Sequence, residues 1–272
     1  MELYFLLLAA GCISGMLTIL FGFAGGFVVV PLVYATIRFH AVAGSAAYEL
    51  AFKSAIASSL LLMIINSGLA SYQQYKMGRI KWPYVFPLAY WIAAGAVLGT
   101  FGSFYLSANF LKWAFVIYLA VTIADCMLRQ IKQHQDQTQN IRGLTSSEQS
   151  LGGIVIGAVA AALGVGGSVM TVPLFRRCGL NMSSSVALAN PLSMPLAIAG
   201  TSTFIVGYWL QPLQLGTHFI GYFYYPALLC LVIGGYIGMK IAAPWSNKLS
   251  NRIHERGYIV LLALVLLSIL LQ

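Results

Sequence analysis

The chain has 272 residues, of which 60% are hydrophobic and 8% charged, and its mean hydropathy is +0.84. Soluble domains carry about 25% charged residues, so this composition excludes a soluble globular protein. The net charge of +9 comes from Lys and Arg residues scattered between apolar runs, a pattern that indicates orientation in a membrane and not nucleic-acid binding.

Apolar runs of helical length follow one another along the whole chain. Because a helix needs about 20 apolar residues to cross a bilayer, these runs predict an all-α polytopic membrane protein. The runs lie at residues 3–20, 26–37, 50–72, 83–105, 110–128, 150–163, 168–175, 185–208, 219–241 and 253–271.

Two of the interruptions consist of glycine-rich sequence, at residues 22–26 and 164–168. Glycine lets the backbone leave helical geometry at little steric cost. Each break therefore predicts an interrupted helix pair, and each pair is followed by three predicted transmembrane helices.

The chain is also an internal duplication. Pro87, Gly95 and Gly99 recur 139 positions later as Pro226, Gly234 and Gly238, a spacing that lets helix backbones approach closely. Seven further residues recur 142 positions later: Gly11, Gly15, Gly22, Gly25, Val30, Pro31 and Leu32 correspond to Gly153, Gly157, Gly164, Gly167, Val172, Pro173 and Leu174.

The duplication divides the chain into three parts. Residues 1–128 form the first membrane repeat and residues 150–272 the second. Between them, residues 129–149 form a polar linker, which we expect on the cytoplasmic side.

The paired glycine blocks at 23–31 and 165–173, the repeated halves and the polar middle resemble the sulfite exporter TauE/SafE family of membrane transporters. The resemblance covers nearly the whole chain. It implies transport of a small sulfur-containing anion, such as sulfite, thiosulfate or an organosulfonate. Ala24 departs from the family pattern, in which glycine is typical at this position.

The positions of Lys and Arg bear on topology. If each interrupted pair crossed the membrane, the two sides would hold six and nine basic residues. If each pair were a re-entrant hairpin, they would hold twelve and three. The second division fits the positive-inside rule and predicts inverted repeats in a bacterial inner (plasma) membrane, with both termini periplasmic. A broken helix that crosses fully is the alternative.

The glycine breaks are the first candidates for anion binding. A helix start offers unsatisfied N–H groups with partial positive charge, and glycine lets sulfonate oxygens approach them closely. We expect the amides of Gly25, Gly26, Gly166 and Gly167 to contribute, together with the Ser168 hydroxyl. The alternative is that these glycines serve only helix packing or a tight turn.

Four polar residues complete the predicted substrate-binding set. Ser58, Ser59 and Asn190 lie in matched segments after the two breaks, where they either face the substrate or join helices to one another. Lys53 either attracts the anion at the outer mouth or pairs with Glu49, four residues earlier.

Three classes of function compete: a secondary transporter or facilitator, a membrane-embedded enzyme, and a non-transporting assembly or structural subunit. Broken helices and duplication favour the transporter. An enzyme is not expected, because the sequence has no cluster of His, Cys, Asp and Glu, and no cofactor or metal is expected. A coupling proton, carried for example by Asp125, and an oligomer are left open as further partners, beside the lipid bilayer.

Overall fold

The computed structural model describes residues 2–132, 141–212, 214–246 and 251–270, and most of them are helical. The first half contains six helices, α1 (Glu2–Phe21), α2 (Gly26–His40), the short α3 (Ala46–Glu49), α4 (Ala51–Lys76), α5 (Trp82–Tyr105) and α6 (Ala108–Lys132). The second half contains five, α7 (Ser146–Ala162), α8 (Ser168–Arg177), α9 (Met182–Leu210), α10 (Tyr225–Ala242) and α11 (Asn251–Leu270).

The predicted fold class, an all-α polytopic membrane protein, is confirmed. Within the described ranges, five helices are long and apolar enough to cross a membrane, namely α1, α4, α5, α6 and α10. The protein is therefore a multi-pass membrane protein. A two-stranded hairpin, β1 (Phe219–Ile220) and β2 (Phe223–Tyr224), and a 3₁₀ turn (Ala243–Trp245) flank α10.

The boundaries of the predicted linker overlap helices on both sides. Helix α6 continues to Lys132, and α7 already begins at Ser146. Thr145 caps α7, because its side chain accepts a hydrogen bond from the Glu148 backbone while the Glu148 carboxylate accepts one from the Thr145 backbone. Residues 133–140 of the linker lie outside the described residues.

Matched glycines bring helices of the two halves into backbone contact. A Cβ added to Gly95 or Gly99 would lie 2.1 Å from the Ile154 carbonyl oxygen or 2.0 Å from that of Ala158. Both residue numbers rise together, so α5 and α7 run in the same direction. By the same criterion α1 and α10 are parallel, because Gly234 contacts Leu8 and Gly238 contacts Cys12.

Each interrupted pair returns to the end of the molecule from which it starts. At the second pair, the backbone N–H of Arg142, just before α7, donates to the carbonyl of Cys178, just after α8, over 3.1 Å. At the first pair, His40 at the end of α2 lines the same cavity as Tyr224, which precedes α10, the helix parallel to α1.

The two pairs enter from opposite ends of α5. Tyr84, in the first turn of α5, donates through its hydroxyl to the Arg142 carbonyl beside the second pair. Phe104, in the last turn, accepts a hydrogen bond from Lys53 at the start of α4, where Tyr34 of α2 packs on Phe52. Re-entrant hairpins in inverted repeats would enter from opposite ends in this way, and the inverted repeat stays a prediction.

Candidate functional site

The first glycine break holds the backbone in left-handed conformations. Gly22, Ala24 and Gly25 have φ angles of 77°, 50° and 93°. Only glycine adopts this region without steric cost, so Ala24 is strained. Helix α2 begins immediately afterwards at Gly26, and its first N–H groups have no partner within the helix.

The second break contacts the first. Gly164 has a φ angle of 66°, and α8 begins at Ser168. A Cβ on Gly26 would lie 2.6 Å from the Gly164 carbonyl oxygen, and one on Gly166 would lie 2.8 Å from that of Phe23. The four glycines predicted to bind the anion therefore lie in two segments that touch one another.

Ser58 and Ser59 have protein partners. The Ser58 hydroxyl accepts a hydrogen bond of 3.0 Å from the Tyr224 backbone, and the Ser59 hydroxyl donates one of 2.7 Å to the Gly164 carbonyl. Both side chains are fully buried. Ser59 thus anchors the second break to α4, and Ser58 anchors the segment before α10.

Ser168 and Asn190 are less satisfied. The Ser168 hydroxyl and the Asn190 Oδ1 are fully buried and have no hydrogen-bond partner among the described residues. The Asn190 amide nitrogen donates to the Thr18 carbonyl only at 3.5 Å. These two side chains retain hydrogen-bonding capacity near the breaks.

Lys53 lies one helical turn before Ile56, against which Gly164 of the second break packs. Its Nζ donates to the Phe104 carbonyl over 2.8 Å at the start of α4. The helix is interrupted at Leu50, between α3 and α4, so Glu49 and Lys53 do not share one continuous helix. Lys53 therefore lies at the start of α4 with its Nζ bonded to the protein, and its role at the outer mouth stays a prediction.

Two residues outside the predicted binding set lie beside Gly25 of the first break. A Cβ at Gly25 would lie 2.6 Å from the Ser14 hydroxyl and 3.0 Å from the Asn66 amide nitrogen. Asn66 stands in the middle of an apolar span, and this signal alone could have marked it, because polar residues are costly there.

A cavity runs along each hairpin. The cavity beside α2, of about 380 Å³, reaches Ser14 and Gly25, and the one beside α8, of about 440 Å³, extends from Arg177 to Val169. Seven residues lining the first have counterparts 142 positions later in the second: Ile13, Ser14, Phe27, Val28, Pro31, Leu32 and Ala35 correspond to Val155, Ile156, Val169, Met170, Pro173, Leu174 and Arg177.

The repeat extends to the third wall of each cavity. Leu261, Leu264 and Val265 of α11 line the first cavity. Tyr118, Val121 and Thr122 of α6, each 143 positions earlier, line the second. The two cavities are thus equivalent parts of the two repeats, with different chemical linings.

Charged groups gather where the second cavity begins. Arg177 pairs with Asp125 over 3.1 Å, and Arg142 pairs with Glu148 over 2.6 Å. Hydrogen bonds from the Arg142 guanidinium and from Thr145 lower the pKa of Glu148 to about 2. Arg176 pairs with Glu255 at the same end of α8. Across the described ranges, no three His, Cys, Asp or Glu side chains are grouped to hold a metal ion.

The chain is similar to known membrane proteins along nearly its whole length. It is 29% identical over 272 residues to a probable membrane transporter protein of Haemophilus influenzae, covering 98% of each chain. It is 25% identical over 252 residues to another from Methanocaldococcus jannaschii, covering 91% of this chain and 88% of the other.

No solved structure shows a significant match to the chain. A protein-family model does, and it covers residues 7–269. The matched range contains both glycine breaks, both cavities and all but the ends of α1 and α11. The chain therefore belongs to the sulfite exporter TauE/SafE family of membrane transporters.

Proposed function

We propose that this membrane transporter is a secondary transporter or facilitator that moves a small sulfur-containing anion across the bacterial inner membrane. Sulfite, thiosulfate and organosulfonates are the candidate substrates, of which the description of the family names sulfite. The anion binds where the two glycine breaks touch, in contact with backbone amides and with the side chains of Ser168 and Asn190.

The pair of equivalent cavities is the observation that carries the proposal. One cavity reaches Gly25 along α2, and the other runs along α8, the helix that begins at the second break. The hairpins enter from opposite ends of α5. Two half-channels related by an internal repeat are what alternating access requires, because exchanging the conformations of the two halves opens a shared site to each side in turn.

The distribution of charge supports an orientation. The end of the second hairpin where α7 begins and α8 ends carries three arginines, Arg142, Arg176 and Arg177, and the acidic residues that pair with them. Basic residues concentrate on the cytoplasmic side of membrane proteins. We therefore assign this end to the cytoplasm, which places the start of α1 and the end of α11 in the periplasm.

Hydrogen-bond donors, and not charges, surround the breaks. No Asp, Glu, Lys or Arg occurs from residue 3 to 37 or from residue 54 to 75. An oxyanion that loses water on entry needs replacement donors, and free helix N–H groups and hydroxyls provide them. Asp125, the candidate proton carrier, is paired with Arg177 at one end of the molecule, so coupling through it is open to a direct test.

Flux measurements on purified protein in proteoliposomes test the proposal. The panel is sulfite, thiosulfate, sulfate, taurine and sulfoacetate, each with and without an imposed pH gradient. We expect flux of at least one sulfur-containing anion of this panel, and loss of that flux in Ser168→Ala and Asn190→Ala. A flux that responds to the pH gradient in wild type but not in Asp125→Asn assigns the proton to that residue.

Ser193→Ala is a matched control, because Ser193 is buried in α9 and its hydroxyl donates to the Ala189 carbonyl of its own helix. This variant should transport like wild type. Absence of flux for the whole panel, from protein that is folded and inserted, contradicts the proposal and favours the structural-subunit alternative.

A further inference from the structure

Three buried polar atoms without partners surround the first glycine break. The Ser14 hydroxyl and both amide atoms of Asn66 are fully buried, and none has a hydrogen-bond partner within the described part of the chain. The position of a Cβ on Gly25 lies 2.6 Å from Ser14 Oγ and 3.0 Å from Asn66 Nδ2. Buried polar atoms in proteins are almost always hydrogen-bonded, so this cluster requires a physical explanation.

Packing does not explain the cluster, because the equivalent place in the second half is apolar. Ile156 stands 142 positions after Ser14. Gly167 faces Ile156 and Leu196, whose methyl groups would lie 3.4 Å from an added Cβ. A glycine break of this fold is therefore packed well by aliphatic side chains.

The cluster lies at the start of a fifteen-residue helix. The backbone N–H groups of Val28 and Val29 both donate to the Gly25 carbonyl over 3.2 Å, so those of Gly26 and Phe27 are the first-turn donors left without an intrahelical partner. The positive end of the helix dipole points toward the same place. The cavity along α2 is lined by Ser14 and Gly25, so it ends beside the cluster.

Building on the proposed function, we propose that Ser14, Asn66 and the first-turn amides of α2 form a charge-neutral binding site for the head group of a singly charged oxyanion. A sulfonate fits this description, and so does hydrogensulfite. Ser14 Oγ and Asn66 Nδ2 donate to the anion oxygens, while Asn66 Oδ1 accepts from a ligand hydroxyl where one is present.

The absence of ionised side chains determines the charge of the ligand. In the sequence, residues 3–37, 54–75 and 225–239, which include the segments forming the cluster and its neighbour Gly235, contain no Asp, Glu, Lys or Arg. The cost of removing an ion from water grows with the square of its charge, whereas neutral dipoles return an attraction proportional to the charge itself. The site therefore favours a monoanion over sulfate, thiosulfate or doubly charged sulfite, which narrows the proposed substrates to hydrogensulfite and sulfonates.

Ligand-dependent thermal stabilisation of the full-length protein in nanodiscs tests this site, with methanesulfonate as the probe and sulfate at equal ionic strength as the comparison. We expect methanesulfonate to raise the Tm of wild type and sulfate to leave it unchanged. Asn66→Leu and Ser14→Ala should weaken methanesulfonate binding at least tenfold. Ser54→Ala is the control, because it removes another buried hydroxyl without a partner from α4, about 18 Å along the helix.

The ligand-free Tm separates binding from a structural role. Replacing an unpartnered buried amide with an isosteric apolar group loses no hydrogen bond, so ligand-free Asn66→Leu should be at least as stable as wild type. Three results would overturn the proposal. They are a lower ligand-free Tm for Asn66→Leu, an undiminished rise in Tm with methanesulfonate in either variant, and equal stabilisation of wild type by sulfate. Failure of wild type to move any anion contradicts the transport proposal instead, and normal flux in both variants contradicts this site alone.

Discussion

Gly26 of the first break lies against Gly164 of the second, and a Cβ on Gly26 would come within 2.6 Å of the Gly164 carbonyl oxygen and 2.8 Å of the Val165 Cα. Both of these atoms belong to the backbone, so no side-chain rotation would relieve the clash. This contact joins the two hairpins, which enter from opposite ends of the molecule.

Gly26→Ala should therefore prevent correct assembly of the two halves. A clash with backbone inside a close-packed core is among the severe mechanisms of destabilisation, about 4 kcal/mol or more. Gly167→Ala is the matched control, because Gly167 has a helical φ of −58° and its added Cβ would make only 3.4 Å side-chain contacts. The yield of monodisperse protein and its Tm measure both, and equal behaviour of the two variants would contradict the contact.

Ala24→Gly should stabilise the protein. Ala24 has a φ of 50°, and the left-handed region costs a residue with a Cβ roughly 1–2 kcal/mol, of which the greater freedom of glycine in the unfolded chain offsets about 0.4–1 kcal/mol. The expected net gain is about 0.5–1 kcal/mol, visible as a higher Tm. Ala47→Gly, at a buried helical alanine in α3, should lower the Tm instead. A decrease for Ala24→Gly would show that the methyl group has a packing role that outweighs the strain.

Arg142 and Arg177 should label from one side of the membrane. The Arg142 backbone donates to the Cys178 carbonyl, so the two arginines lie at the same end, and Arg38 lies at the end of the other hairpin. In a background without the four native cysteines, Arg142→Cys and Arg177→Cys should react with an impermeant maleimide from the cytoplasmic side. Arg38→Cys should react only from the periplasmic side. Labelling of Arg142→Cys and Arg177→Cys from opposite sides is the result that this topology does not permit.

The start of α7 should loosen in acid. Hydrogen bonds from Arg142 and Thr145 lower the pKa of Glu148 from 4.5 to about 2. The ionised form of this carboxylate is therefore more stable in the folded state than in the unfolded one. The resulting stabilisation is complete above about pH 4.5 and is lost as the pH falls toward 2.

Hydrogen exchange of residues 146–149 measures this loosening. The protection factors, which correct for the pH dependence of intrinsic exchange, should fall over that pH window in wild type, while Glu148→Gln should show lower protection at neutral pH and lack the acid-dependent decrease. Arg142 is largely exposed, so high salt should reduce the difference between the two proteins. An identical pH profile in both proteins would remove Glu148 as the cause.

Much of the architecture follows from the sequence without coordinates. A membrane helix needs a long apolar run, and a duplicated gene leaves its repeats at constant offsets, so the number of segments and the equivalence of the halves are both readable. The two breaks can also be predicted from the local sequence. Gly22, Gly25 and Gly164 adopt left-handed backbone angles, which glycine alone adopts freely.

Only the tertiary structure determines which polar side chains lack a hydrogen-bond partner. Ser58 and Ser59 have the composition expected of a binding segment, yet their hydroxyls bond Tyr224 and Gly164, partners 166 and 105 residues away. Among the residues that the structure describes, the side chains of Ser14 and Asn66 have no hydrogen-bond partner. A hydrogen bond depends on distance in space, and no local pattern in a sequence encodes which distant backbone group will arrive within about 3 Å of a given side chain.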